Sequence, residues 1–214
     1  MNSIKKSLEN WLNDLNNFSF KNYEELPDID LYMDQVVTFL EKQLYIFQNN
    51  TLDKQITSSM INNYVKGEVL PSPISKKYNR EHLALIEEIC TLKQVLSIAD
   101  VKQIENDRYQ DVTAKGEIFN EFNRLNNEKI EISVSEAFKK LNDIDENDSS
   151  ALISLATEFA LTANAYINIS KKILYLTSRY ANIEKAKEIK EQELAKEVKK
   201  DKKKKESEED TQSE

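Results

Sequence analysis

The chain has 214 residues, enough for one sizeable domain or two small ones, with only 2 glycines and 3 prolines. A formal net charge of -8 argues against coating nucleic acid over the whole surface, because a polyanion repels an acidic protein at long range; a local basic patch stays compatible with it. The lone cysteine, Cys90, excludes an internal disulfide, and together with the lone histidine, His82, it cannot supply a Cys/His metal cluster.

Gly and Pro supply the backbone conformations of tight turns, so their scarcity points to long helices with few connections. No Lys- or Arg-led apolar leader opens the chain, and its most apolar window, residues 151–166, is interrupted by Glu158 and Asn164. A membrane span needs about 20 largely apolar residues, so no transmembrane helix and a cytoplasmic location are expected.

Ile4, Leu8, Trp11, Leu12 and Leu15 recur at helical spacing and predict a first helix ending near Phe18. Asp28 and Asp30 follow Pro27 and read as a cap for a second helix, which carries Leu31, Val36, Val37, Phe39, Leu40 and Leu44 to about Phe47. After a polar stretch, residues 48–55, a hydroxyl of Thr57, Ser58 or Ser59 can cap a compact helix that Gly67 ends beyond Lys66. Pro71 and Pro73 then impose extended or turned backbone as far as Tyr78.

Asn79 begins a helix with Leu83, Ile86, Ile89, Cys90, Leu92 and Leu96, and Ser97 begins another with Val101 and Ile104. Ile118, Phe119, Phe122 and Leu125 predict a further helix, and Val134, Ala137, Phe138 and Leu141 a short one. Asp148-Ser149-Ser150 opens the longest uninterrupted stretch, striped by Leu152, Leu155, Phe159, Tyr166, Ile173, Leu176 and Tyr180. From Glu184 the chain turns to Lys and Glu runs, too polar to offset ordering entropy, and a frayed, then disordered tail is expected over residues 184–214.

Catalytic chemistry has little to stand on: there is no glycine-rich phosphate loop, His82 reads as a surface or capping residue, and Cys90 as a small hydrophobe. Asp28 and Asp30 lack a third ligand and suit a helix N-terminus better than a metal. The expectation is a non-enzyme with no catalytic residue, metal or cofactor. Residues 54–80 are more informative, because Lys54, Lys66, Lys76, Lys77 and Arg80 stand against Glu68 alone, a local charge of +4 in an acidic chain. That is the footprint of a phosphate-binding face. The helix from Thr57 offers Ser58, Ser59, Asn62, Asn63 and Lys66, types useful at base edges, Asn above all opposite adenine. A plain solvated helix face would have the same composition.

The run Met60-Ile61-Asn62-Asn63-Tyr64-Val65-Lys66-Gly67-Glu68-Val69-Leu70-Pro71, followed by Tyr78-Asn79-Arg80-Glu81-His82-Leu83, resembles the winged helix-turn-helix of MerR-type transcription regulators. Residues 24–108 are also similar to the bacterial domain-of-unknown-function family 1836, through Leu26-Pro27-Asp28-Ile29-Asp30-Leu31-Tyr32-Met33-Asp34-Gln35, the string from Met60 to Tyr64 and the string from Lys77 to Leu83. The resemblance implies a MerR-like winged helix-turn-helix over residues 23–110, with the helix 57–66 in a major groove and a basic wing over 71–80. Ser58, Ser59, Asn62 and Asn63 would approach bases, while Tyr64, Lys66, Lys76, Lys77, Tyr78 and Arg80 would meet the backbone. Core packing remains the other reading of Tyr64. Asn62 and Asn63 stand where an Arg is usual, which leaves the base preference open.

The expected architecture is all-α with room for a short β wing: an N-terminal amphipathic helix over 1–22, the winged helix-turn-helix, and a helical dimerisation or sensing region over 111–183 that contains one long helix. The expected function is DNA-binding transcription regulation. Its partners would be double-stranded DNA, a second copy bound through the 150–180 helix, and an effector of unknown identity if Phe159, Tyr166, Tyr175 and Tyr180 line a pocket rather than a core. The alternative is a non-catalytic helical protein-interaction module that keeps the fold without binding DNA.

Overall fold

In a computed structural model the described residues are 3–47, 56–109 and 114–210, with side chains described as far as residue 191. The expected polar linker, residues 48–55, lies outside them. The fold is all-α with one two-stranded sheet. Helix α1, Ile4–Asn16, starts at Ser3, whose Oγ accepts a hydrogen bond from the Lys6 N–H at 3.1 Å. Strand β1, Leu31–Tyr32, precedes α2, Met33–Gln43, and a short 3₁₀ turn, Tyr45–Phe47. Helix α3, Ser58–Lys66, leads to strand β2, Lys77–Tyr78, and on to α4, Arg80–Leu92, and α5, Ile98–Tyr109. Helix α6, Lys115–Leu141, and helix α7, Ser149–Asp210, complete the order.

Several helix starts follow their capping residues closely. Asn79 Oδ1 accepts the His82 N–H at 3.1 Å, Ser97 Oγ accepts the Asp100 N–H at 3.2 Å, and Asp148 Oδ1 accepts the Ala151 N–H at 2.9 Å. Each satisfies an amide that has no partner inside its helix. Asp28 and Asp30 do not cap α2. Residues 31–32 pair antiparallel with 77–78, Leu31 opposite Tyr78 and Tyr32 opposite Lys77, so the helix begins only at Met33. Gln35 Oε1 then takes the Tyr32 N–H at 2.9 Å.

The two helices expected around Phe119 and Val134 are one, the 27-residue α6. Nothing between them breaks it, and its asparagines have work elsewhere. Asn120 Oδ1 accepts from the Tyr23 N–H at 2.6 Å, Asn123 Nδ2 donates to the Lys21 carbonyl at 2.8 Å, and Asn127 Oδ1 accepts from the Phe20 N–H at 2.9 Å. Spaced at three and four residues, these amides lie on one helix face and satisfy the backbone of a segment that has no ladder of its own.

The chain divides into two units, residues 1–167 and 168–214. In the first, Leu12 and Leu15 of α1 pack with Ile46, with Val134, Ala137 and Leu141 of α6, and with Leu155 of α7. A second cluster joins Leu26, Ala84 and Phe119, with Tyr23 and Phe39 against them. In the second unit the described residues are helical, and α7 continues to Asp210 where charge alone predicts a disordered tail.

Candidate nucleic-acid interface

Helix α3 is anchored at its start by Thr57, whose Oγ1 accepts the Met60 N–H at 3.2 Å. Its inner face is Ile61 and Tyr64, both buried; Ser58, Ser59, Asn62, Asn63 and Lys66 are exposed. Gly67 closes it, donating its N–H to the Asn63 carbonyl at 2.9 Å. Gly67 has φ -78, so the glycine is not there for a left-handed backbone. A Cβ at this position would come within 3.2 Å of the Asn63 carbonyl, which is the tighter constraint. The left-handed residue is the next one, Glu68, at φ 54. Val69 and Leu70 then bury their side chains and donate both N–H groups to the Tyr64 carbonyl, at 3.0 and 3.2 Å, folding the loop back onto the end of α3.

The loop ends in a tight hairpin. Ile74 and Lys77 exchange backbone hydrogen bonds at 3.1 and 2.9 Å, and the two residues between them, Ser75 and Lys76, have φ 51 and φ 65. Positive φ at both central positions is the requirement of a type I′ turn, which Asn-Gly meets without strain. A residue with a Cβ loses about 1–2 kcal/mol in that region. Lys76 is exposed, and Lys77 is half-buried with its Nζ 5.3 Å from the Tyr32 ring centroid. Arg80 lies 5.6 Å from the Tyr23 ring centroid and 3.9 Å from Asp28.

Two members of the expected contact set are not at the surface. Tyr64 is buried against Cys90, and burial followed by the Cys90 neighbour pushes its hydroxyl up to about 12. Tyr78 is buried as well, its ring edge-on to His82 at 5.6 Å, and burial raises its pKa. On a short helix and a two-residue strand the apolar area of a Tyr ring is worth more inside than its hydroxyl is outside. His82 caps α4 and is buried, with Nε2 3.4 Å from the Ser72 carbonyl.

One residue that shapes this face has no local signature. Lys102 of α5 donates to the Gly67 carbonyl and to the Glu68 carboxylate, both at 3.1 Å, so the single acid of the 54–80 window is offset from 34 residues away. Lys66 and Lys76 have no ion pair among the described residues; Lys54 lies outside them.

Elsewhere, Glu87 and Glu88 of α4 and Glu105 of α5 are buried together. Glu88 faces Arg108 at 3.0 Å and accepts from the Tyr109 hydroxyl at 3.0 Å; Glu87 accepts from Asn123 of α6 at 3.1 Å. Burial pushes Glu87 up to about 7, and burial with the neighbouring Glu88 pushes Glu105 up to about 9. No group of His, Cys, Asp and Glu among the described residues is arranged to hold a metal ion. No described helix is long and apolar enough to cross a membrane. Between α1, α6 and α7 an apolar groove of about 870 Å³ includes Trp11, Phe159 and Tyr166 in its lining. Tyr175 and Tyr180, expected to accompany them, belong to the second unit.

Fold and site together define a small helical domain clasped by one two-stranded sheet and carrying a locally basic face. The chain belongs to the family described as a domain of unknown function, DUF1836, whose model matches residues 21–127. That span takes in Asn120 and Asn123 of α6 together with the Tyr23 and Lys21 backbone groups they hold. No curated protein and no solved structure matches the chain.

Proposed function

We propose that the protein is a DNA-binding transcriptional regulator that lays α3 in a major groove, in the manner of the MerR-like winged helix-turn-helix. The turn 74–77 is set against the backbone. The observation that carries this reading is the division of α3, with Ile61 and Tyr64 inward and Ser58, Ser59, Asn62, Asn63 and Lys66 outward. Asn62 and Asn63 are the base-edge candidates, and Lys66, Lys76, Lys77 and Arg80 meet phosphates, which fix register without reading sequence.

Fluorescence anisotropy with a random-sequence duplex tests it. Binding should weaken steeply between about 50 and 200 mM salt, with a log-log slope near -0.9 per phosphate contact. Lys66→Glu with Lys76→Glu reverses two exposed charges without touching the core, and should lower affinity by about 100-fold and flatten the slope by about two contacts. If the unaltered protein binds no duplex even at low salt, the alternative of a helical protein-interaction module takes its place.

The regulator is further proposed to be a homodimer. Leu155, and with it Leu152 and Phe159, from the first part of the expected 150–180 surface, pack within the chain. Ile169, Ile173, Leu176, Tyr180 and Ile183 are exposed and alternate at four and three residues, the spacing of a coiled-coil seam. Two copies would present two α3 helices to a pseudo-palindromic site. Light scattering should give twice the chain mass at micromolar concentration, and Ile173→Glu with Leu176→Glu should give the monomer. A wild-type monomer at tens of micromolar would rule the dimer out.

A further inference from the structure

Where α1, α6 and α7 pack together, small side chains leave room between large ones. Ser133 of α6 and Ala156 and Ala163 of α7 line the groove of about 870 Å³, whose floor includes the buried Leu12 and Leu155. Small-molecule sites span about 300–1,000 Å³. Bonds from one element to the next hold this space open. Lys5 Nζ of α1 donates to the Ile144 carbonyl, just beyond α6, at 2.6 Å, and Lys140 of α6 pairs with Glu136 at 3.0 Å and with Glu158 of α7. Closing the groove would give up those bonds, so a ligand meets a preformed site and loses little to reorganisation. Every lining residue lies outside the span 21–127 matched to the family, which assigns nothing to them.

The polar groups of the lining say what can enter. Its two charged side chains already have partners, Glu136 in Lys140 and Lys129 in Glu128 at 3.0 Å. Ser133 Oγ donates to the Lys129 carbonyl at 2.8 Å, and Trp11 Nε1 to the Ile46 carbonyl at 3.3 Å. Thr162 and Tyr166 differ: among the described residues their hydroxyls make no hydrogen bond, and four residues apart on α7 they share one helix face. A charged head group would lose its hydration here and find no free counter-charge, whereas one hydroxyl or carbonyl would find a partner. We propose that the groove binds an uncharged, largely hydrocarbon small molecule with a single hydroxyl or carbonyl, its apolar body on the leucine floor and its polar end bonded to Thr162 or Tyr166. The site is independent of the DNA-binding reading, since none of its residues belongs to α3 or to the turn 74–77.

Titration calorimetry of the full chain with decanol, decanoate and decylammonium tests it, because the three probes share one chain length and differ in head-group charge. Decanol should bind once per chain with a negative heat-capacity change, the mark of buried apolar surface. Decanoate and decylammonium should each bind at least about 10-fold more weakly. Ala156→Leu with Ala163→Leu fills the space and leaves the floor alone; it should abolish decanol binding while the urea midpoint stays at or above that of the wild type. Thr162→Val keeps the shape without the hydroxyl, and together with Tyr166→Phe it should weaken decanol by about 5-fold. Equal binding of all three probes, or decanol binding that survives the leucine pair, overturns the site. Absence of any heat with decanol overturns it too, and a change in the mass of the chain in solution on introducing the leucine pair would then give the groove to a second copy.

Discussion

Raising the pH from 5 to 9 should destabilise the protein progressively, and Glu105→Gln should abolish the part of that loss that falls between pH 7 and 9. Glu105 packs against Glu88, with Arg108 Nη1 3.7 Å from its carboxyl, and neither of its oxygens finds a donor as long as both acids are ionised. A proton on one supplies the hydrogen bond that joins the pair. Facing these acids are Arg108 and Tyr109 from α5, and Glu87 with Asn123 of α6 stands beside them. In the unfolded chain a glutamate ionises near its ordinary 4.5, whereas folded Glu87 holds its proton to about 7 and Glu105 to about 9. The native state therefore binds more protons than the unfolded one throughout that interval. The contribution of these two carboxyls to stability is complete below pH 4.5 and is lost as pH rises through the folded values. Each retained proton contributes a slope of about 1.4 kcal/mol per pH unit. Urea midpoints should thus drop most steeply between pH 5 and 7, where both Glu87 and Glu105 lose protons on unfolding, and more gently from 7 to 9, where Glu105 alone does. Glu105→Gln should be level over the second interval. A wild-type protein equally stable at pH 7 and pH 9 would sink the account.

Phe119→Ala should cost about 3–5 kcal/mol, a large share of the 5–15 kcal/mol typical of a folded domain. Phe119 is fully buried, joins Leu26 and Ala84 across α6 and α4, and receives the edge of the Tyr23 ring at 6.2 Å. Gly116, one turn earlier, lies so close to the same ring that a Cβ there would come within 2.8 Å of it, so the ring cannot move towards α6 to fill the space. The urea midpoint should fall with little change in the denaturant slope. A loss under about 1 kcal/mol would mean that the cluster closes over the hole.

Helix starts marked by Thr57, Asn79, Ser97 and Asp148 could be read in the sequence because a cap is a local bond, made within three residues. The outward set on α3 was legible for a similar reason, since Ile61 and Tyr64 fix the phase of a nine-residue helix. What distant partners decide was not legible. Asp28 and Asp30 look like caps until strand pairing at residues 31–32 moves the start of α2. Asn120, Asn123 and Asn127 read as surface polarity until the segment at 20–23 is laid beside them. Glu87 and Glu88 were hidden by the habit of placing charge outside, although α4 carries Leu83, Ala84, Ile86, Ile89 and Cys90 around much of its circumference and leaves little solvent face. Lys102 meets Glu68 only through the fold.

Trp11 is the chain's single tryptophan, half-exposed on α1, with Nε1 donating to the Ile46 carbonyl at 3.3 Å and its ring lining the groove between α1, α6 and α7. Every photon of indole emission therefore comes from that groove and none from α3 or the turn at 74–77. The molecule is an optical probe of its own apolar cleft: a small ligand that fills the cleft should shift the emission to the blue with no dye attached, whereas a duplex held at the basic face leaves the spectrum still unless the two places communicate.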